Sequence, residues 1–170
     1  AIQLVVDAGA RAIATAGSEQ KVAFCRELGA TAVNYKEQDF LAEVKQVTNG
    51  QGVDVILDPV GGAYLDRNIS ALRRFGRLVS IGLLSGSKAE LNMGLVLGKR
   101  LRIIGSTLRT RPVAEKIAIT RRFEAEVWPK LIDGRLRPII DIAFPIAGAQ
   151  AAHEYVREDR NIGKVILEMP

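Results

Sequence analysis

The segment "ATAGSEQK", Ala14 to Lys21, closes an apolar run and opens an amphipathic one. A carboxylate at such a strand end accepts hydrogen bonds from a ribose 2′-hydroxyl and repels a 2′-phosphate. This chain instead places Ala16 and Gly17 there, then the Ser18 hydroxyl and, one turn later, Lys21. A hydroxyl, the free N–H groups of a helix start and an ammonium together suit an oxyanion such as that phosphate. The same residues also suit a plain helix cap beside a solvated lysine, and the segment alone leaves both readings open. Tyr35, at the next strand end, can pack on a planar ring or donate its hydroxyl, and equally can be a tyrosine at the edge of a core.

Other reactive groups are scarce. Cys25 is the only cysteine and His153 the only histidine, so no disulfide forms within the chain and the usual Cys/His zinc sets cannot be assembled; no metal is predicted. Cys25 falls on the apolar face of a helix and reads as a packing residue. His153, with apolar neighbours nearby, reads as structural or surface, and Asp58 and Asp141 are not spaced as a catalytic pair. Catalytic residues are therefore left unassigned.

With 170 residues, 48% of them hydrophobic, the chain can bury one sizeable core. No apolar run approaches the roughly 20 residues of a membrane span, and "AIQLVVDAGAR" lacks a signal-peptide pattern. A cytoplasmic protein with no membrane partner is predicted. The net charge of +5 suits an anionic ligand, but the basic residues are dispersed. "LRRFGR" (72–77) and "TLRTR" (107–111) are the densest basic spots and read as solvated helix and loop ends; with few aromatics to stack on bases, nucleic acid is not the predicted partner.

Apolar spacing predicts a helix ending at Gly9, a strand at "ARAIATA", and a helix capped by Ser18 that buries Val22, Cys25 and Leu28 and stops at Gly29. "AVNY" follows as a strand. A helix buries Phe40, Leu41, Val44 and Val47, and then "VDVILD" (53–58) reads as a strand covered on both faces. "GGAYLDRNISALRRFG" is predicted as a helix, "RLVSIG" (77–82) as a strand, "LNMGLVLGKR" as a helix and "LRIIGST" (101–107) as a strand. Pro112 to Asp133 forms the longest helical pattern, broken near Pro129, before a final strand, helix and strand. Alternation of this kind requires crossovers and so predicts a doubly wound parallel α/β sheet. Ligands of such sheets bind beyond the strands' carboxyl ends, so residues 16–21, 35–36, 59–62, 82–86 and 107–109 are expected to line one crevice.

The stretches "ATAGSEQKVAFCRELGATAVNYKEQDF", "GVDVILDPVGGAYLDRNISAL", "GRLVSIGLLSG", "GSTLRTRP" and "NIGKVIL" together resemble the cofactor-binding half of the medium-chain dehydrogenase/reductase superfamily, in its zinc-free quinone oxidoreductase (zeta-crystallin-like) branch. The resemblance covers essentially the whole chain. It implies a Rossmann-type fold, NADPH as cofactor, and hydride transfer to a small-molecule quinone or related α,β-unsaturated carbonyl. It places Gly17, Ser18, Lys21 and Tyr35 around the adenosine phosphate, and Gly61 and Gly62 near adenine and ribose. Gly82, Leu83 and Leu84 fall near the pyrophosphate and nicotinamide ribose, Ser106, Thr107 and Leu108 near the nicotinamide, and Asn161 and Lys164 in a tail that closes over the cofactor. A homodimer through the edge strand 101–107 is implied as well.

The family pattern also includes an N-terminal catalytic domain, a first strand and a glycine-rich turn, and no GxGxxG precedes Gly9. The chain is therefore expected to be a piece of a longer enzyme, inactive alone, with residues 1–135 as the N-terminally truncated NADP-binding domain and 136–170 as a tail facing the catalytic domain. The absent strand belongs between those at 12–16 and 53–58, so two apolar edges should be left to associate or aggregate. A non-catalytic nucleotide-binding or interaction module, with RNA as one ligand, is the alternative; a methyltransferase-like fold fits the glycine loops less well.

Overall fold

The computed structural model describes residues 1–170. The chain divides into two compact units, Ala1–Ala32 with Arg121–Pro170, and Val33–Thr120.

The first unit begins with α1 (Ile2–Asp7), β1 (Ala12–Ala16) and α2 (Glu19–Glu27). Ser18 caps α2 as its sequence predicts, its hydroxyl accepting from the Lys21 N–H at 3.3 Å. β1 pairs with β2 (Ala30–Asn34), a strand that runs on into the second unit. Of the predicted apolar face of α2, Val22 is fully buried, while Cys25 and Leu28 are half-buried. The C-terminal portion supplies the end of α6 (Val113–Glu126), then α7 (Trp128–Ile132), β6 (Ile140–Pro145), α8 (Ala149–Arg157) and β7 (Lys164–Glu168). The helical pattern breaks at Val127, and Pro129 lies in the first turn of α7, where its missing N–H costs nothing. β6 and β7 are parallel, and α8 is the crossover that parallel pairing demands. Two polar ties join the ends of this unit. The Gln3 amide donates to the Arg137 carbonyl and accepts from its N–H, both at 2.9 Å, and Lys130 pairs with Asp7 at 2.5 Å.

The second unit contains α3 (Phe40–Val47), β3 (Val53–Asp58), α4 (Leu65–Ala71), β4 (Leu72–Ser80), α5 (Met93–Lys99) and β5 (Arg102–Gly105). β3, β4 and β5 form a three-stranded parallel sheet in that order. Ile69, Leu72 and Leu78 form its buried centre, against which Val53, Ile56, Leu95 and Leu101 pack. Lys99 closes the end of α4, its ammonium donating to the carbonyls of Ile69, Ser70 and Leu72 at 3.2, 2.9 and 2.7 Å. Burial, and secondarily Lys45, hold that amine below the usual lysine range.

The structure corrects the sequence expectation in two places. The helix predicted through Gly76 stops at Ala71, because Phe75 adopts a left-handed φ of +64° and Leu72 already pairs with Val53. A bulge then carries the chain to the Val55–Arg77 register. β3 is also not covered on both faces: Val55 and Leu57 are 44% and 51% exposed, while the packed helices α4 and α5 lie against β4.

Candidate functional site

In the second unit, the sheet register brings the carboxyl ends of three strands into one row, Asp58 beside Ser80 and Ser80 beside Gly105. The loops that follow are joined backbone to backbone. Ile81 donates to the Asp58 carbonyl at 2.8 Å, Leu84 to Pro59 at 3.2 Å, Ser85 to Val60 at 2.8 Å, and Gly62 to Gly86 at 3.0 Å. Asp58, only 4% exposed, accepts from the N–H groups of Val60 and Gly61 at 2.8 and 3.2 Å and so fixes the turn. The Ser85 hydroxyl stitches the loops again, donating to the Val60 carbonyl at 2.8 Å and accepting from the Ala63 N–H at 3.0 Å.

This packing explains the glycines. A Cβ on Gly61 would lie 2.9 Å from the Gly86 carbonyl oxygen, one on Gly62 2.6 Å from that of Lys88, and one on Gly82 2.7 Å from that of Pro59. Gly61 also has φ +86°, which L side chains rarely adopt. The glycines let two loops touch, and the exposed Leu83 and Leu84 form an apolar lip on the pair. Ser106 donates its N–H to the Ser80 carbonyl at 2.9 Å and so joins the same row; Arg111 donates to the Thr107 carbonyl at 3.0 Å, and Leu108 is exposed. Tyr35, directly after β2, is 41% exposed. A cavity of about 420 Å³ lies at the opposite, amino ends of these strands, lined by Asp54, Phe75, Arg77, Arg100 and Arg102.

In the first unit, Gly17 and Ser18 form the bend between β1 and α2. The Lys21 side chain, 19% exposed, reaches Asp159 just beyond α8. Its ammonium donates to both the Asp159 carboxylate and the Asp159 carbonyl, each at 2.5 Å. An oxyanion thus already sits on Lys21 beside the start of α2, and the donor set fits a phosphate. Glu19, in the first turn of α2, faces away from this role in its pair with Arg26 at 2.9 Å. Asn161 donates to the Gly163 carbonyl at 2.8 Å and so ties its own turn, while the Lys164 side chain is exposed.

The sequence points to Asp58 only as a candidate acid and to Ser85 only within its loop, and it does not point to Asp159. Asp58 had a readable signal, an aspartate directly before a Pro-Val-Gly-Gly turn. Asp159 had none, because its partner lies 138 residues away. His153 is exposed on α8, and burial raises the Cys25 thiol above its ordinary value, which disfavours thiolate chemistry. No group of three or more His, Cys, Asp or Glu side chains comes together in a way that could hold a metal ion. No helix is long and apolar enough to cross a membrane.

Parallel strands, crossover helices and small-residue loops at the carboxyl strand ends define a Rossmann-type α/β protein. Residues 1–124 match the zinc-binding dehydrogenase family (ADH_zinc_N), and the chain belongs to that family, within the medium-chain dehydrogenase/reductase superfamily. It is 33% identical over 164 residues to the 2-haloacrylate reductase of Burkholderia sp., a match covering 94% of this chain and 48% of that protein. Among solved structures, Escherichia coli quinone oxidoreductase complexed with NADPH superposes with a TM-score of 0.81 at 28% identity, covering 98% of this chain and 52% of that one. An NAD-dependent alcohol dehydrogenase superposes equally well, at a TM-score of 0.81 and 34% identity, over 99% of this chain and 47% of the other. The chain spans about half the length of the curated relatives it matches.

Proposed function

We propose that this chain is the cofactor-binding part of an oxidoreductase that transfers hydride from NADPH to a quinone or related α,β-unsaturated carbonyl. The observation that carries the reading is the Lys21 ammonium, held beside the start of α2 with an oxyanion already on it, in a chain of this family. The names of the relatives supply the substrate class, since a haloacrylate and a quinone are both electron-poor conjugated acceptors.

Lys21, Gly17, Ser18 and the free N–H groups of α2 would take the 2′-phosphate, with Tyr35 beside the adenosine. The loops at 61–62 and 82–84, held in shape by their own hydrogen bonds, would wall the ribose and pyrophosphate, with Ser106, Thr107 and Leu108 toward the nicotinamide and Asn161 and Lys164 on the closing tail. The bound cofactor supplies the hydride. The chain's part is to orient the dinucleotide and keep water from its reactive end, for which the apolar Leu83, Leu84 and Leu108 are suited. The reading also takes residues 1–135 as the NADP-binding domain, 136–170 as a tail toward a catalytic domain, and the free edge of β5 as the seam of a homodimer that works without zinc.

Calorimetric titration of the chain and of Lys21→Ala with NADPH and NADH tests this. The expected result is tighter binding of NADPH, with the preference lost in the variant. A Lys21→Ala chain that keeps its preference for NADPH would overturn the assignment. Catalysis is tested separately: quinone reduction by this chain alone would show that no further catalytic domain is needed.

A further inference from the structure

We propose that Asp159 is a specificity-determining residue, a built-in anion that competes with the cofactor's 2′-phosphate for Lys21 and so weakens the discrimination between NADPH and NADH. The inference rests on the preceding reading that Lys21 faces the 2′ position.

An ammonium has three N–H donors. Two of those on Lys21 are spent on Asp159, one on the carboxylate and one on the carbonyl, at 2.5 Å each. The hold is shaped by backbone: Asp159 follows the Glu158 cap of α8 with φ +54°, a left-handed conformation that aspartate tolerates better than most residues, and its N–H donates to the Val156 carbonyl at 3.0 Å. That conformation turns carbonyl and carboxylate toward the same amine. Neighbouring charges are committed elsewhere. Arg160 lies over the Tyr155 ring at 4.6 Å and meets Glu158 at 3.4 Å, and Glu19 is paired with Arg26.

Lys21 with Asp159 is therefore close to neutral as a unit. An incoming 2′-phosphate, near two negative charges at neutral pH, must displace the carboxylate or sit beside it at a cost in repulsion. A cofactor with a bare 2′-hydroxyl meets neither penalty. Because the Asp159 side chain is 73% exposed, solvent moderates the effect and the displaced carboxylate regains water, so the expected change is modest.

The test is calorimetric titration of the full 170-residue chain with adenosine 2′,5′-bisphosphate and with AMP, alongside NADPH and NADH, for the unsubstituted chain, Asp159→Asn, Lys21→Ala and the double variant. Asp159→Asn should tighten the bisphosphate and NADPH about fivefold while AMP and NADH stay within about twofold, and the gain should vanish in the Lys21→Ala background. Asp159→Gly, which suits the left-handed backbone, should behave alike and guards against a folding defect in the asparagine variant. Equal changes for all four ligands, or weaker binding of the two that carry a 2′-phosphate, would overturn the proposal, as would no change while Lys21→Ala still loses the NADPH preference. In each of those cases the Lys21 assignment survives. A chain that binds none of the four ligands, or whose preference ignores Lys21, brings down both readings together.

Discussion

The bend that opens α2 and the loops that end β3 and β4 are both short segments of small residues at strand ends, yet they do different work. In the loops the polar backbone is used internally, and Gly61, Gly62 and Gly82 are required because another loop's carbonyl occupies the space of each missing Cβ. At the bend a charged side chain from the first turn of α2, Lys21, is met by a carboxylate from a distant part of the chain. A glycine at a strand end thus marks close approach, and the thing approached here is the protein itself. A hydroxyl and a lysine three residues apart mark a place where an anion is held.

Substitutions that separate packing from anion holding sharpen this contrast. Gly82→Ala should have the largest effect, since its Cβ would lie 2.7 Å from the Pro59 carbonyl oxygen and its nearest neighbours are all Pro59 backbone, which no side-chain motion can relieve. We expect a loss of about 3 kcal/mol in urea unfolding. A Gly82→Ala chain of full stability but altered cofactor preference would reverse the roles of the two regions. Ser18→Ala should cost about 1 kcal/mol by removing the cap of α2. If the bend is an anion site, the same variant also weakens NADPH more than NADH in titration; a cap alone would weaken both equally.

The start of α3 is a control, a capped helix with no candidate ligand. There Asp39 accepts from the Leu41 N–H at 3.1 Å and pairs with Arg67, whose side-chain hydrogen bond, followed by the backbone one, holds the carboxyl below its ordinary value of 3.8. A depressed carboxyl contributes stability that is fully present above 3.8 and is lost as pH falls through the folded value. Melting temperatures measured on acidification should therefore fall less steeply for Asp39→Asn than for the unsubstituted chain. Parallel curves would mean that Asp39 adds nothing beyond solvation.

Most elements were legible because their signals are local. Ser18 capping α2, Phe40 and Val44 burying α3, and Gly9, Gly29 and Gly50 with positive φ just past helix ends all follow from neighbours within a turn or two. The stretch 72–76 misled because apolar and basic residues continue the helical spacing, while pairing of Leu72 with Val53 competes and wins. The exposure of Val55 and Leu57 was illegible for a related reason: an apolar β-branched run reports a strand, not what covers it. In the candidate site the sequence names Ser18 and Lys21, but nothing near either of them points to Asp159.

The discontinuity of the first unit has a consequence for the order of assembly. Val33–Thr120 is contiguous, whereas the unit built on residues 1–32 needs residues 121–170. On a ribosome adding about 5 to 20 residues per second, the 138 residues between Lys21 and Asp159 correspond to about 7 to 28 s. Within that interval, once Thr120 has been made, the contiguous unit can close around Ile69, Leu72 and Leu78 while Lys21 still waits for its partner. The emerging polypeptide thus leaves the cation at the start of α2 without its partner until Asp159, just beyond α8, is made, so nucleotide or polyanion present during synthesis can reach Lys21 before its own carboxylate does.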